Sequence, residues 1–286
     1  MENFHKKCLV CNSEDLIPMG KEYAHAYLVK CKSCGLVFCK RIPTQEELTD
    51  HYAKYTRNNS ISPITLTRYE ELLEKFESKR KLNRLLDIGC GDGYFLDAAK
   101  KRGWEVYGIE FMDNAVELCQ SKGIVMHKGT LQTYPLEIQF DVITSFEVLE
   151  HINDGKNHVQ KIYELLRSGG LFYFTTPNFN SLTRKLIGGK WMVIEYPEHL
   201  TYYTSRTIKN LLLASGFRKV TLKTTGYSKE HMKISESKKT SPENSDESLR
   251  ESMEQKFHLR LAKKIINGIL NFTKSGDTLK GFFTKP

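Results

Sequence analysis

The stretch "SFEVLEHI" (145–152) sets two carboxylates and an imidazole, Glu147, Glu150 and His151, at spacing i, i+3, i+4. If the segment is helical, the three side chains leave from one face and three ionisable groups share a small volume. Two other residue sets carry a chemical signal. Cys8-x2-Cys11 and Cys31-x2-Cys34, separated by nineteen residues, have the spacing of two thiolate knuckles closing one tetrahedral zinc site, a zinc ribbon. Gly35 permits the tight turn behind the second knuckle. Four thiolates leave no open coordination position, so this zinc is expected to be structural. The third set is the loop "DIGCGDGYF", with Asp87, Gly89, Gly91 and Gly93, followed 23 residues after Asp87 by Glu110. Such glycines let a backbone approach a ligand at the carboxyl end of a strand, and an acid at the end of the next strand can accept from two ribose hydroxyls. The spacing is G-x-G-x-G, not the dinucleotide G-x-G-x-x-G.

The elements that must position these groups alternate. Short apolar runs at 84–88, 105–110, 124–128, 140–146 and 171–177 read as strands; "YFLDAAKKRG", "MDNAVELCQSKG", "DGKNHVQKIYELLRSGG" and "SRTIKNLLLASGF" between and after them read as helices. Asp113 is the expected cap of the second helix, and the "LLRSGG" glycines the expected end of the third. Strand–helix alternation at this spacing implies a parallel sheet covered on both faces. Before it, residues 1–42 form the ribbon and 43–80 a helical linker and cap, with Thr44 a helix cap. Residues 81–226 plus 277–286 form the main domain, with "DTLKGFFTKP" returning antiparallel beside 217–226. Residues 227–276 are then an insertion: "SKEHMKISESKKTSPENSDESLRES" is nearly devoid of large apolar residues and reads as flexible, and 253–272 as an amphipathic basic helix.

A hydrophobic content of 40% over 286 residues suffices for a core of ordinary size. The net charge of +9 is spread along the chain and reads as a lysine-rich solvated surface. No run approaches the roughly 20 apolar residues of a membrane span, and the start "MENFHKKCLVC" lacks an apolar signal region; the expectation is a soluble cytoplasmic protein. An odd count of seven cysteines argues against a disulfide framework, leaving Cys39, Cys90 and Cys119 as packing residues.

The glycine loop with Glu110 resembles motif I and the acidic loop of class I S-adenosylmethionine-dependent methyltransferases, over about residues 84–226. "FEVLEHI", "LLRSGGLFYFTTPN" and Trp191 followed by "YPEHLTYYT" resemble the ubiquinone-biosynthesis O-methyltransferases and related enzymes of glycan gene clusters. The resemblance implies an α/β Rossmann-like seven-stranded sheet with its last strand antiparallel. It implies that Asp87, Gly89, Gly91 and Gly93 lie against the amino-acid part of S-adenosylmethionine, that Glu110 holds its ribose, that Phe111 or Met112 covers adenine, that Thr130 and Leu131 border the adenine edge, and that Phe146 lies near the methyl group. The family often carries an acid where this chain has "KGTLQ", so adenine recognition is expected to rest on backbone groups.

Small-RNA 3′-terminal 2′-O-methyltransferases look similar at "EVLEH", and there an E-x-x-E-H and a later histidine hold magnesium. The equivalent set is Glu147, Glu150, His151 and, in "PEHL", His199. Such a site would bind Mg²⁺ or Mn²⁺ and lower the pKa of a substrate hydroxyl. Two other readings stand beside it: His199 as a metal-free general base oriented by Glu150, and a structural role in which Glu150 accepts from nearby amides and His151 is a packed histidine. Trp191, Tyr196, Tyr202 and Tyr203 are expected to line an acceptor pocket or to pack the long loop. The function implied is O-methylation of a small molecule or a sugar or glycan precursor, with membrane contact through 253–272. The alternative is an RNA methyltransferase that uses the ribbon for its substrate, as in ribosomal-RNA guanine methyltransferases that carry a zinc ribbon.

Overall fold

The structure, a computed structural model, describes residues 3–53, 61–226 and 257–286. It opens with β1 (Asn3–Phe4), β2 (Leu16–Pro18), β3 (Leu28–Cys31), β4 (Val37–Cys39) and β5 (Arg41–Ile42). β2, β3 and β4 form an antiparallel meander. Gly35 takes φ +83° in the turn between β3 and β4, as the second knuckle requires. Helix α1 (Gln45–Ala53) starts in a capping box: Glu47 N–H donates to Thr44 Oγ1 (3.2 Å) and Thr44 N–H to Glu47 Oε2 (2.9 Å). Helix α2 (Pro63–Phe76) is capped by Ser62 and buries Leu72, Leu73 and Phe76.

The alternating region gives β6 (Arg84–Ile88), α3 (Tyr94–Lys101), β7 (Glu105–Glu110), α4 (Asp113–Ser121), β8 (Val125–Lys128), β9 (Phe140–Phe146), α5 (Gly155–Leu165), β10 (Leu166–Pro177), α6 (Leu182–Ile187), β11 (Thr201–Tyr202), α7 (Ser205–Ala214), β12 (Arg218–Thr225), α8 (Phe257–Phe272) and β13 (Thr278–Thr284). Seven strands make one sheet in the order β12-β13-β10-β9-β6-β7-β8, with β13 antiparallel to both neighbours. The order reverses between β6 and β9, which places a ligand crevice at their carboxyl ends. Side chains alternate across the sheet. Leu85, Val142 and Leu171 pack with Leu73, Phe76, Phe95 and Leu96 of α2 and α3. Their neighbours Leu86, Ile143 and Phe172 face Val159 and Ile162 of α5, Ile208 and Leu211 of α7, and Cys31, Leu36 and Phe38 of the ribbon.

Two local expectations are corrected, and one strand was not foreseen. Helix α5 stops at Leu165, and "RSGG" belongs to β10 as a bulge between Leu166 and Leu171, held where Arg167 pairs with the fully buried Asp141. Asp113 is the first helical residue, and Met112 occupies the cap position. Strand β11 falls inside the long connection after β10 and joins the ribbon: Thr201 and Tyr202 pair with Phe38 and Val37 of β4, so the ribbon sheet reads β11-β4-β3-β2. The expectation of flexibility at 228–255 lies outside the described residues. α8 packs on β12 through Leu270, Asn267 and Asn271, and leaves Ile265, Ile266, Ile269 and Phe272 exposed. Among the described residues no helix is long and apolar enough to cross a membrane.

His158 of α5 is 1% accessible, and neither ring nitrogen has a hydrogen-bond partner among the described residues. Burial lowers its pKa to about 4 from the usual 6.5. A folded-state pKa below the unfolded one means stability that is present above about 6.5 and lost as the pH falls toward 4. Urea denaturation at pH 7 and pH 5 should therefore show His158→Phe losing about 1–2 kcal/mol less than wild type over that interval. Equal losses would contradict the assignment.

Candidate active site

The crevice at the carboxyl ends of β6 and β9 is lined first by the glycine loop. Gly89, Gly91 and Gly93 take φ +67°, +53° and +73°. A Cβ on Gly89 would fall 2.6 Å from Val148 Cγ2, and one on Gly93 2.7 Å from Cys119 Sγ; at Gly91 nothing lies within 4 Å. The outer glycines are thus required by packing, and the middle one opens onto free space. Glu110, 4% accessible at the end of β7, fixes this loop: Oε2 accepts from Gly91 N–H (3.0 Å) and Oε1 from Phe111 and Met112 N–H (2.9 and 3.2 Å). The carboxylate expected to hold a ribose therefore also holds the backbone that would surround it. Asp87 is buried and accepts from Thr144 Oγ1 at 2.7 Å; burial, resisted by that hydrogen bond and reinforced by Glu110, raises its pKa to about 7. Phe111 is 48% exposed beside the loop and Thr130 is exposed, while Leu131 turns its side chain into the core at 2%. Phe146 is half-buried in an aromatic stack with Phe95, Tyr69 and Tyr173.

Beyond Phe146 the chain does not continue into an α-helix. Glu147 takes φ +51°, an uncommon conformation for a non-glycine residue, and only Leu149–His151 form a 3₁₀ turn. The shared helical face expected for Glu147, Glu150 and His151 is therefore absent. The groups still converge, because the left-handed residue swings Glu147 back toward the turn. The carboxyls of Glu147 and Glu150 lie within hydrogen-bonding reach of one another. Glu150 is 2% accessible and accepts from Thr176 Oγ1 at 2.9 Å. Burial first, and then the Glu147 carboxylate, holds its pKa well above the usual range. Glu147 is exposed, and desolvation by the protein around it raises its pKa.

His199 comes to this pair from the long connection. One ligand atom each of Glu150, His151 and His199 lies within 4.8 Å of the others, and the two imidazole rings are 4.8 Å apart. His151 Nδ1 faces the Glu198 carbonyl at 2.9 Å and His199 Nδ1 faces the Val193 carbonyl at 2.7 Å. A carbonyl only accepts, so each Nδ1 carries a hydrogen. Burial, and after it the neighbouring His199, lowers the His151 pKa to about 4, which keeps it neutral. This second layer of backbone carbonyls, which fixes tautomer and ring angle, is the usual support of a metal-ligating or basic histidine. Of the two roles expected for the aromatics, packing of the long loop fits Trp191, Tyr202 and Tyr203, which are 1%, 3% and 1% accessible. Tyr196 is half-buried, with its hydroxyl on Glu47 Oε2 at 3.3 Å.

The four ribbon cysteines also converge, with one Sγ each within 4.8 Å of the rest and the Cys8–Cys34 and Cys11–Cys31 pairs at 3.5 Å. Zinc–thiolate bonds of about 2.3 Å give tetrahedral edges of about 3.8 Å, so the set is compatible with a zinc ribbon.

The sheet order, the glycine cradle and the acid at the end of β7 define a class I S-adenosylmethionine-dependent methyltransferase. Residues 57–222 match the methyltransferase domain family, and the chain belongs to it. It is 27% identical over 187 residues to a ubiquinone biosynthesis O-methyltransferase of Bordetella avium, covering 62% of this chain and 76% of that one. The corresponding protein of Nitrosomonas europaea is also 27% identical, with 62% and 77% covered. Among solved structures, an S-adenosylmethionine-dependent methyltransferase from Archaeoglobus fulgidus superposes with a TM-score of 0.53 at 20% identity, covering 85% of this chain and 100% of that one. That likeness is one of fold.

Sequence reasoning missed Thr144 and Thr176, which donate to Asp87 and Glu150. The structure's register sets Thr144 beside Asp87, and Thr176 has no such pairing with β9. The Val193 and Glu198 carbonyls gave no signal, because any residue supplies one. A carboxyl whose folded pKa is raised lowers stability as pH rises past its unfolded value near 4.5. Glu150→Gln should therefore be more stable than wild type at pH 8, by about 1 kcal/mol or more, with the difference closing at pH 4. A variant that is less stable at pH 8 would mean Glu150 is held as an ordinary satisfied carboxylate.

Proposed function

We propose that this methyltransferase acts on a hydroxyl of a small molecule or of a sugar or glycan precursor. The reading is carried by the convergence of Glu150, His151 and His199 beside the glycine cradle, with Nδ1 of each histidine held by a backbone carbonyl. The ubiquinone O-methyltransferase relatives support an oxygen acceptor of small size. Asp87, Gly89, Gly91, Gly93 and Glu110 bind S-adenosylmethionine, with Phe111, Thr130, the backbone of Leu131 and Phe146 bounding it. The acceptor oxygen takes the methyl group as the carbon–sulfur bond breaks, and its proton passes to His199 Nε2. The protein's main work is alignment of donor and acceptor and exclusion of water.

Glu150, His151 and His199, with Glu147 at the edge, also fit a divalent cation; two imidazoles beside carboxylates favour Mn²⁺ over Mg²⁺. When bound, such an ion would make the acceptor hydroxyl more acidic. Cys8, Cys11, Cys31 and Cys34 hold a structural zinc. The exposed Ile265, Ile266, Ile269 and Phe272 of α8 support contact with a membrane surface that carries a lipid-linked acceptor.

Transfer of label from radioactive S-adenosylmethionine into fractionated extract, with and without EDTA, tests this reading. Label is expected in a nuclease-resistant small-molecule, glycan or lipid fraction; loss on RNase treatment would replace it with the RNA reading. EDTA inhibition reversed by Mn²⁺ supports the cation, and EDTA-insensitive transfer leaves His199 as the base without a metal. Failure to sediment with anionic vesicles would remove the membrane contact. Glu110→Ala should weaken S-adenosylmethionine binding by at least about tenfold in calorimetry, since the loop amides lose their acceptor together with the ribose. Unchanged affinity would place the cofactor elsewhere.

A further inference from the structure

The connection that delivers His199 is packed on the ribbon. Trp191, Val193, Ile194 and Leu200 share one buried cluster with Tyr23, Leu28, Val37 and Cys39. The contact is closest at His199 itself. Its carbonyl accepts from Cys39 Sγ at 3.3 Å and from Tyr202 Oη at 3.1 Å. The next residue continues the connection to the ribbon: Cys39 N–H donates to the Leu200 carbonyl at 2.8 Å, and β4 then pairs with β11. On its other sides His199 is bound by its own loop, through its N–H to Glu195 O and its Nδ1 to Val193 O, both at 2.7 Å. Every polar group of His199 except Nε2 is therefore engaged.

We infer that Cys39 is a positioning residue for the active site: with Tyr202 it clamps the His199 carbonyl and so aims Nε2 at Glu150 and His151. Cys39 is not one of the four convergent cysteines, and it lies at the end of β4, the strand that leads away from the second knuckle. It is 1% accessible, and burial raises its pKa to about 12, so the thiol keeps the hydrogen it donates. Tyr202 is likewise buried, with its pKa pushed well up by desolvation. The four convergent cysteines flank the β3–β4 turn through Cys31 and Cys34, and β4 joins that turn to His199 through one side chain and one strand pairing. The inference rests on the reading of Glu150, His151 and His199 as the reacting centre.

The test compares Cys39→Ser, which keeps a donor, with Cys39→Ala and with Cys39→Ala/Tyr202→Phe, which remove one and two. Histidine ¹⁵N resonances report whether His199 keeps its hydrogen on Nδ1, Mn²⁺ titration followed by electron paramagnetic resonance reports the three-ligand set, and calorimetry with S-adenosylmethionine reports the distant cradle. Cys39→Ser should match wild type. The double variant should lose the single His199 tautomer and weaken Mn²⁺ binding by about tenfold, with Cys39→Ala between the two. S-adenosylmethionine affinity should stay within about twofold throughout, because the cradle is built by other strands. Unchanged histidine spectra in the double variant would overturn the inference, as would parallel losses of S-adenosylmethionine binding in every variant, Cys39→Ser included. If wild type binds no Mn²⁺, the cation reading falls, and the histidine spectra decide on Cys39 alone.

Discussion

Leu200 is held at both ends of its peptide unit by different parts of the chain. Its N–H donates to the Glu150 carbonyl and its carbonyl accepts from Cys39 N–H, both at 2.8 Å. These two bonds join the turn after β9, the long connection after β10 and the ribbon. The neighbouring Thr201 Oγ1 adds a bond to the Ile152 carbonyl at 2.9 Å. Buried backbone groups without partners are costly, so a buried segment tied on both sides cannot slide without losing both bonds at once. The spatial relation of Glu150 to His199, on which the proposed chemistry rests, is set by this bridge more than by the secondary structure on either side.

The site itself is kept at some expense to stability. Two carboxyls with raised pKa values face one another, Glu147 adopts a left-handed backbone, and His151 is held neutral by burial. The carboxyls and the left-handed residue oppose folding at neutral pH, and the buried His151 does so only as the pH falls below about 6.5; strain and desolvation of this kind persist where the surrounding packing over-determines them. Here that packing is supplied by Trp191, Tyr202 and Tyr203, large side chains buried almost completely around the connection. Of the two roles open to these aromatics in the sequence, packing is the one their burial fits.

The parts legible in the sequence were those governed by local patterning. Alternating apolar runs gave the sheet, glycines at fixed spacing gave the cradle, and paired cysteines gave the ribbon. What stayed hidden depended on long-range pairing. Thr201–Tyr202 is too short to read as a strand and becomes one because β4 offers a free edge. The "RSGG" glycines resemble a helix stop, and the buried Asp141–Arg167 pair makes them a bulge. The i, i+3, i+4 spacing of Glu147, Glu150 and His151 suggested the right cluster through the wrong geometry. Sharp chain reversal at Glu147 achieves what helical periodicity would have done.

β13 lies between β10 and β12 in space, yet residues 226–277 separate it from β12 in sequence. Closing a connection of that length carries an entropy that grows only with the logarithm of its length, about 0.6 kcal/mol per doubling. The sheet is therefore nearly indifferent to how much chain is placed there. That junction is where the molecule can gain or lose a surface element at little thermodynamic penalty. The toll falls on time instead, because β10 and β12 remain unpaired on their facing edges until the excursion has been crossed, and non-local pairing of this kind is slow.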